Sequence, residues 1–215
     1  FYNIDAISGD LRWERLKVIR KMIDTDRKII ITCVESLAST YIPVGLYENY
    51  IINISVGDVL NLKDLSEKLV QCGYEKNEIV DSKGQFSIRG DIMDVYSPIA
   101  AEAYRIELFG DEVESIRTLN LESQRSVDKI DSIEIFPAKE IILDKDSIQK
   151  GRKSIEEDAA LVEKKLEKNK NKEALDRIDE ITKKNLENLE ENWSFENIDS
   201  FLPYFYDKPA SFLDY

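Results

Sequence analysis

The chain has 215 residues, of which 42% are hydrophobic, enough for one large domain or two to three small ones. Its 43 acidic and 30 basic residues give a net charge of −13, which argues against strong autonomous DNA binding, since that needs lysine and arginine to neutralise phosphates. It contains no histidine, the commonest general base and metal ligand. No apolar run approaches the length that crosses a membrane.

Residues 1–57 predict an incomplete α/β unit. Apolar residues from Leu11 to Ile23 have helical spacing. Residues 28–34 form a continuous, β-branched apolar run, typical of a strand that is buried on both faces of a parallel sheet. A short helix is expected over residues 35–39. One helix, one buried strand and a second helix do not close a sheet.

Residues 58–140 predict a small module of one helix and an antiparallel sheet of about four strands. The helix ends at Gly73, which serves as its C-cap. One strand follows Gly84, a hairpin spans residues 104–117, and a further strand over residues 132–136 is stopped by proline. A single helix covers one face of such a sheet and leaves the other face open.

Strand alternation predicts which side chains lie on the open face. Tyr104, Ile106 and Leu108 share the buried face, so the outward positions are Arg105, Glu107, Phe109 and, on the preceding strand, Arg89. Arginine and aromatic residues dominate binding hot spots. The pattern by itself favours a simpler interpretation, in which Phe109 caps a core edge and the arginines pair with Glu107 or Glu114.

Residues 141–215 predict mainly helix. Two helices with apolar stripes are separated by a break at residues 169–172. The aromatic-rich segment after Trp193 is expected to lie across a core.

Catalytic motifs are not evident. None of the eight glycines lies in a G-x-x-x-x-G-K-[ST] loop, so ATP hydrolysis is not expected. A metal-dependent nuclease remains an alternative, with a divalent cation held by four acids: Asp91, Asp94, Glu107 and Asp111. Acids at turns and strand ends are more commonly solvated or capping groups. The sequence therefore predicts no catalytic residue, no cofactor and no metal.

Several stretches resemble the UvrB-homology region of the bacterial transcription-repair coupling factors (Mfd). They are residues 83–98, 104–117, 123–126, 136–140 and 201–215, in that order along the chain. The resemblance implies an α+β fold of three segments. Residues 1–57 would be the later part of a degenerate helicase-like domain, 58–140 an inserted UvrB-like domain, and 141–215 the helical return to the first domain. Phe1 is then expected to be an internal start, and the chain a fragment.

The resemblance also implies a function in transcription-coupled nucleotide excision repair. The inserted domain would be a non-catalytic module that recruits the repair protein UvrA, in the cytoplasm, through Arg89, Arg105 and Phe109, with Glu107 and Arg117 at the rim. Binding to RNA polymerase and DNA, and the ATP-dependent translocase activity, would belong to other domains of the parent protein. A fragment of UvrB that binds UvrA and damaged DNA remains an alternative, although no aromatic DNA-binding hairpin is evident.

Overall fold

The chain folds into two units, seen in a computed structural model that describes residues 9–24, 27 and 29–215. The first unit comprises the described part of residues 1–29 together with Gly45–Ile142, and the second comprises Ile30–Val44 and Leu143–Tyr215. The helices are α1 (Gly9–Ile23), α2 (Val34–Ala38), α3 (Val44–Tyr50), α4 (Leu62–Gln71), α5 (Lys145–Lys168), α6 (Lys172–Asn192) and α7 (Leu202–Phe205). The strands are β1 (Thr40–Tyr41), β2 (Ile52–Ser55), β3 (Glu75–Lys76), β4 (Gln85–Arg89), β5 (Ile92–Val95), β6 (Ala103–Phe109), β7 (Glu112–Asn120), β8 (Arg125–Ile130), β9 (Ser132–Ile135) and β10 (Ala210–Ser211).

The first unit is built on a six-stranded sheet in the order β3-β4-β5-β6-β7-β8. The β3–β4 pair is parallel and the other pairs are antiparallel. Helix α4 covers one face. Its Leu65 and Leu69 pack in a single apolar cluster with Phe86, Met93 and Ile106 of the sheet. The predicted α+β class with a small sheet domain is confirmed, and the hairpin over residues 104–117 corresponds to β6 and β7.

Local chemistry explains where α4 begins and ends. The Asn61 side chain accepts hydrogen bonds from the backbone N–H groups of Lys63 (2.9 Å) and Asp64 (3.2 Å), which satisfies two of the donors left unpaired at a helix start. After the helix, Gly73 has a φ of +88°, in the left-handed region that a C-cap glycine adopts readily. Cys72 is the C-cap, and Gly73 follows it as the left-handed glycine expected at the end of this helix.

Two expectations about strands were wrong. The strand over residues 132–136 is present as β9, but it pairs with β2 in a separate two-stranded sheet, and residues 52–55 had not been predicted as a strand. Residues 29–33 are not a strand, and Ile29 and Ile31 are each 95% exposed; Lys28 lies outside the described residues. A strand buried on both faces needs neighbouring strands to pair with and cover on each face. None of the described strands pairs with residues 29–33.

The second unit contains the predicted helical hairpin. Helices α5 and α6 are joined through residues 169–171, and an ion pair between Arg152 and Glu190 links the start of one to the end of the other. After the hairpin in the chain, Phe195 and Phe201 pack edge to face with ring centroids 5.0 Å apart, and Phe205 is buried. Strands β1 and β10 pair antiparallel in the same unit. The predicted three-segment division of the chain stays a prediction.

No helix within the described part of the chain has both the length and the apolar character needed to cross a bilayer.

Gly151 in α5 packs directly against the Phe205 ring, and a Cβ at this position would overlap the ring. We expect Gly151→Ala to lower the free energy of unfolding by about 1–3 kcal/mol, because the ring or the helix has to shift. The matched control is Gly45→Ala in α3, where an added methyl group meets nothing within 4 Å. There alanine should be neutral or stabilising by about 0.5–1 kcal/mol, as is usual in helices. Urea denaturation followed by circular dichroism measures both, and equal effects at the two sites would contradict the packing argument.

Candidate protein-binding face

Strand register brings the predicted site residues onto one face of the six-stranded sheet. Asp94 on β5 lies directly opposite Arg105 on β6, and on its other side it lies opposite Ser87 on β4. Arg89 is two residues beyond Ser87, so it shares that face. The face is the one opposite to the cluster that α4 covers, because Phe86, Met93 and Ile106 alternate with these positions and are buried.

Asp94 joins the two arginines. Arg105 donates from Nε to Oδ1 of Asp94 (2.7 Å) and from Nη2 to Oδ2 (2.8 Å), a bidentate pairing. Arg89 donates from Nη2 to the same Oδ2 (2.5 Å). The Asp94 side chain is 0% exposed, that of Arg105 is 13% exposed, and that of Arg89 is 44% exposed. Arg105 is therefore mostly enclosed by the sheet, whereas Arg89 reaches solvent.

The loop before β8 supplies a second partner, and a third hydrogen bond, for Arg105. The Nη1 atom of Arg105 donates to the backbone carbonyl of Gln124 (3.3 Å). Gln124 has a φ of +56°, and its side-chain amide donates to the carbonyl oxygens of Val80 (3.0 Å) and Leu121 (2.8 Å), which ties the loop to the sheet. The hydrogen bonds to Asp94 raise the pKa of Arg105, and the negative charge of Asp94 raises it further. Burial acts in the opposite direction but does not outweigh them. Arg105 therefore stays charged.

Phe109 is a large apolar side chain that is exposed on this face. It ends β6, and 81% of its surface is exposed. Gly110, with a φ of +65°, opens the two-residue turn that follows. A register shift lies between β6 and β7 at Glu107 and Leu108. The alternation within β6 is intact, since Ile106 and Leu108 are buried and Phe109 is not. The alternative in which Phe109 caps a core edge is therefore wrong.

Glu107 and Arg117 form a second small network. Glu107 accepts a hydrogen bond from the Ser115 hydroxyl through Oε2 (2.6 Å), and Arg117 Nη2 lies 4.0 Å from the same oxygen. Arg117 is the direct cross-strand neighbour of Arg105. The interpretation based on pattern alone, in which Arg89 and Arg105 pair with Glu107 or Glu114, is therefore wrong. Arg89 and Arg105 instead pair with Asp94.

The structure brings Arg89, Arg105, Glu107 and Phe109 onto one face, as strand alternation predicted. Arg117, which only the resemblance implied, lies on the same face opposite Arg105. That these residues bind a partner stays a prediction. Sequence reasoning missed the role of Asp94, which it had considered only as a metal ligand. The available signal was its position between two buried residues, Met93 and Val95, on the face that also carries Arg89.

The acids proposed for a nuclease do not form one cluster. Asp94 is engaged by two guanidinium groups, whereas Asp91 and Asp111 lie in exposed turns. Among the described residues, no group of three or more acidic or cysteine side chains is arranged to hold a metal ion.

Comparison with known proteins gives a consistent result. Residues 52–141 match the family model of the UvrB interaction domain. The chain is 36% identical over 212 residues to the transcription-repair-coupling factor of Bacillus subtilis (strain 168), a match that covers 99% of this chain and 18% of that protein. The factor of Myxococcus xanthus is 34% identical over 114 residues, which are 53% of this chain and 10% of that protein. That of Staphylococcus epidermidis (strain ATCC 12228 / FDA PCI 1200) is 28% identical over 210 residues, 97% of this chain and 17% of that protein. The chain spans less than a fifth of the length of each of these relatives.

Proposed function

Since this chain carries a UvrB interaction domain and is homologous over nearly its whole length to transcription-repair-coupling factors, we propose that it is a module that binds the excision-repair protein UvrA. The binding surface is the open sheet face that carries Arg89 and Phe109. In the longer protein this contact recruits UvrA in transcription-coupled repair. Binding of RNA polymerase and DNA, and any ATP-driven movement, belong to other parts of that protein.

The observation that carries the proposal is the composition of this open face within residues 52–141. It combines a phenylalanine that is 81% exposed with an arginine side chain that is 44% exposed. Aromatic and arginine side chains are the types that supply most of the binding energy at protein interfaces. Such a large exposed ring at a strand end contributes little to the fold of the free chain, and its position beside Arg89 makes it a candidate anchor for a partner.

The charge of the group formed by Asp94, Arg89 and Arg105 indicates the chemistry of the partner. Arg89 and Arg105 carry two positive charges against the one negative charge of Asp94, which leaves one positive charge. We therefore propose that UvrA contributes a carboxylate that accepts charge-assisted hydrogen bonds from Arg89. Most donors of Arg105 bond within the sheet, so we assign it a smaller direct contact. Glu107 and Arg117 lie at the rim.

The similarity over nearly the whole chain is to coupling factors, which disfavours the alternative that this is a fragment of UvrB. Damaged DNA is also a poor partner for a chain with a net charge of −13.

Titration of purified UvrA tests the proposal. We expect saturable binding to the wild-type chain, and we expect Arg89→Ala to weaken it about tenfold, because a charge-assisted hydrogen bond is lost from a partly desolvated contact. Calorimetry or fluorescence anisotropy measures the dissociation constant. Raising the salt concentration should weaken binding by the wild-type chain more than binding by the variant.

The matched control is Arg177→Ala in α6, which removes the same charge from an exposed position in the second unit. Its affinity for UvrA should stay within about twofold of wild type, since Arg177 is not part of the proposed binding face. A folded wild-type chain that does not bind UvrA would contradict the proposed function. Equal loss of affinity in both variants would contradict the assignment of the face.

A further inference from the structure

One carboxylate, that of Asp94, is completely buried on the sheet face opposite α4, a face that is partly open to solvent. Asp94 lies opposite Arg105 across one strand pair and diagonally from Arg89 across the other, within reach of both long side chains. A buried carboxylate is unfavourable unless it is paired and hydrogen-bonded, and here both of its oxygens accept bonds. Resting on the proposed function, we infer that Asp94 is a positioning residue that holds the Arg89 guanidinium in its UvrA-binding orientation.

The two arginines have different shares in this arrangement. Arg105 bonds through Nε, Nη1 and Nη2 to groups of the sheet and the adjoining loop, so it fixes Asp94 from one side. Arg89 uses one nitrogen for Asp94 and has further N–H donors on a side chain that is 44% exposed. Arg89 is therefore the member of the trio whose donors face a partner.

Fixing Arg89 before binding favours association for two reasons. A free arginine loses rotamer freedom when a partner immobilises it, whereas one already held by Asp94 has lost most of that freedom on folding. In addition, the negative charge of Asp94 offsets the repulsion between two neighbouring guanidinium groups. It leaves one positive charge for the partner to neutralise. The chemistry that fits is a single carboxylate of UvrA at this point.

Asp94→Asn tests the inference, because asparagine keeps the size of the side chain and removes the charge. The amide has one acceptor oxygen, and its NH₂ group would face the arginine donors. We expect UvrA to bind this variant about fivefold more weakly than wild type, a smaller loss than for Arg89→Ala. The control is Asp64→Asn, an identical chemical change on α4, which covers the other face of the sheet. It should bind like wild type.

Two further measurements separate positioning from a general effect on structure. In a double-mutant cycle, Asp94→Asn should weaken binding much less when Arg89 is already alanine, because most of its effect passes through Arg89. In the free wild-type chain, labelled with ¹⁵N-arginine, the side-chain resonances of Arg89 and Arg105 should show restricted rotation. In the Asp94→Asn variant the Arg89 resonances should become those of a mobile surface arginine.

Each outcome bears on a specific claim. Full UvrA affinity in a folded Asp94→Asn variant, or additive effects in the cycle, would overturn the inference and leave the proposed function standing. A wild-type chain that does not bind UvrA contradicts the proposed function, whereas the NMR comparison still tests the positioning of Arg89. If Asp94→Asn prevents folding, Asp94→Glu is used in its place. An affinity for UvrA midway between those of wild type and Arg89→Ala then supports the inference. Freely rotating Arg89 resonances in the wild-type chain overturn it without any variant.

Discussion

Replacing Phe109 with alanine is expected to weaken UvrA binding by about 30-fold or more, or about 2 kcal/mol, the loss typical of an aromatic hot spot. The ring is 81% exposed at the end of β6, on the proposed binding face. Its truncation removes apolar contact area from the interface and little from the core. The free energy of unfolding should therefore change by no more than about 0.5 kcal/mol, as for other surface substitutions.

The measurement is a pair of experiments on each variant: UvrA titration and urea denaturation. Leu213→Ala serves as the matched control, because Leu213 is 82% exposed and lies in the second unit. This variant should keep both its affinity for UvrA and its stability. Wild-type affinity in the Phe109→Ala variant would contradict the assignment of Phe109 as the apolar anchor. A large loss of stability would show that the ring supports the fold.

Replacing Arg105 with alanine is expected to lower the free energy of unfolding by about 2–4 kcal/mol, because a buried carboxylate loses its main partner. Asp94 is 0% exposed, and two of its three arginine hydrogen bonds come from Arg105. Arg89 remains as a partner, so the loss should fall towards the lower part of the range known for broken buried pairs. Arg89→Ala leaves the bidentate pair in place, and should cost about 1 kcal/mol or less.

Denaturation curves of the two variants, compared with wild type, check this order. Equal stability of the Arg105→Ala and wild-type chains would mean that Asp94 gains access to water at little cost. The result also decides how binding data are interpreted. Weaker UvrA binding by Arg105→Ala, measured without its stability, cannot separate a lost contact from a disturbed sheet. Arg89→Ala and Phe109→Ala avoid this difficulty, since their side chains are more exposed.

The sequence predicted the open face correctly because strand alternation is a local property. In β6 every second side chain points to the same face, so the positions of Ile106 and Leu108 imply those of Arg105 and Phe109. The helix α4 and the break between α5 and α6 were equally local signals. Spacing and capping residues within a few positions are sufficient to predict them.

Two predictions failed because they depended on pairing between distant segments. Residues 29–33 have the composition of a buried strand, but composition does not supply the neighbouring strands that a buried strand needs. Strand β9 has a clear pattern, but its partner β2 lies near the other end of the domain sequence. Strand β8 went unnoticed because its residues are mostly polar and exposed, as is common at a sheet edge.

By itself, the sequence determined helix α4, the hairpin of β6 and β7, and four residues of the open face: Arg89, Arg105, Glu107 and Phe109. Each of these follows from periodicity and turn chemistry over short distances. Only the tertiary structure decided which charged residues on that face are buried and which are exposed. The burial of Asp94 and Arg105 requires three strands in one register and a loop closing over them. Hydrogen-bond geometry and desolvation depend on that whole arrangement, so no local pattern contains them.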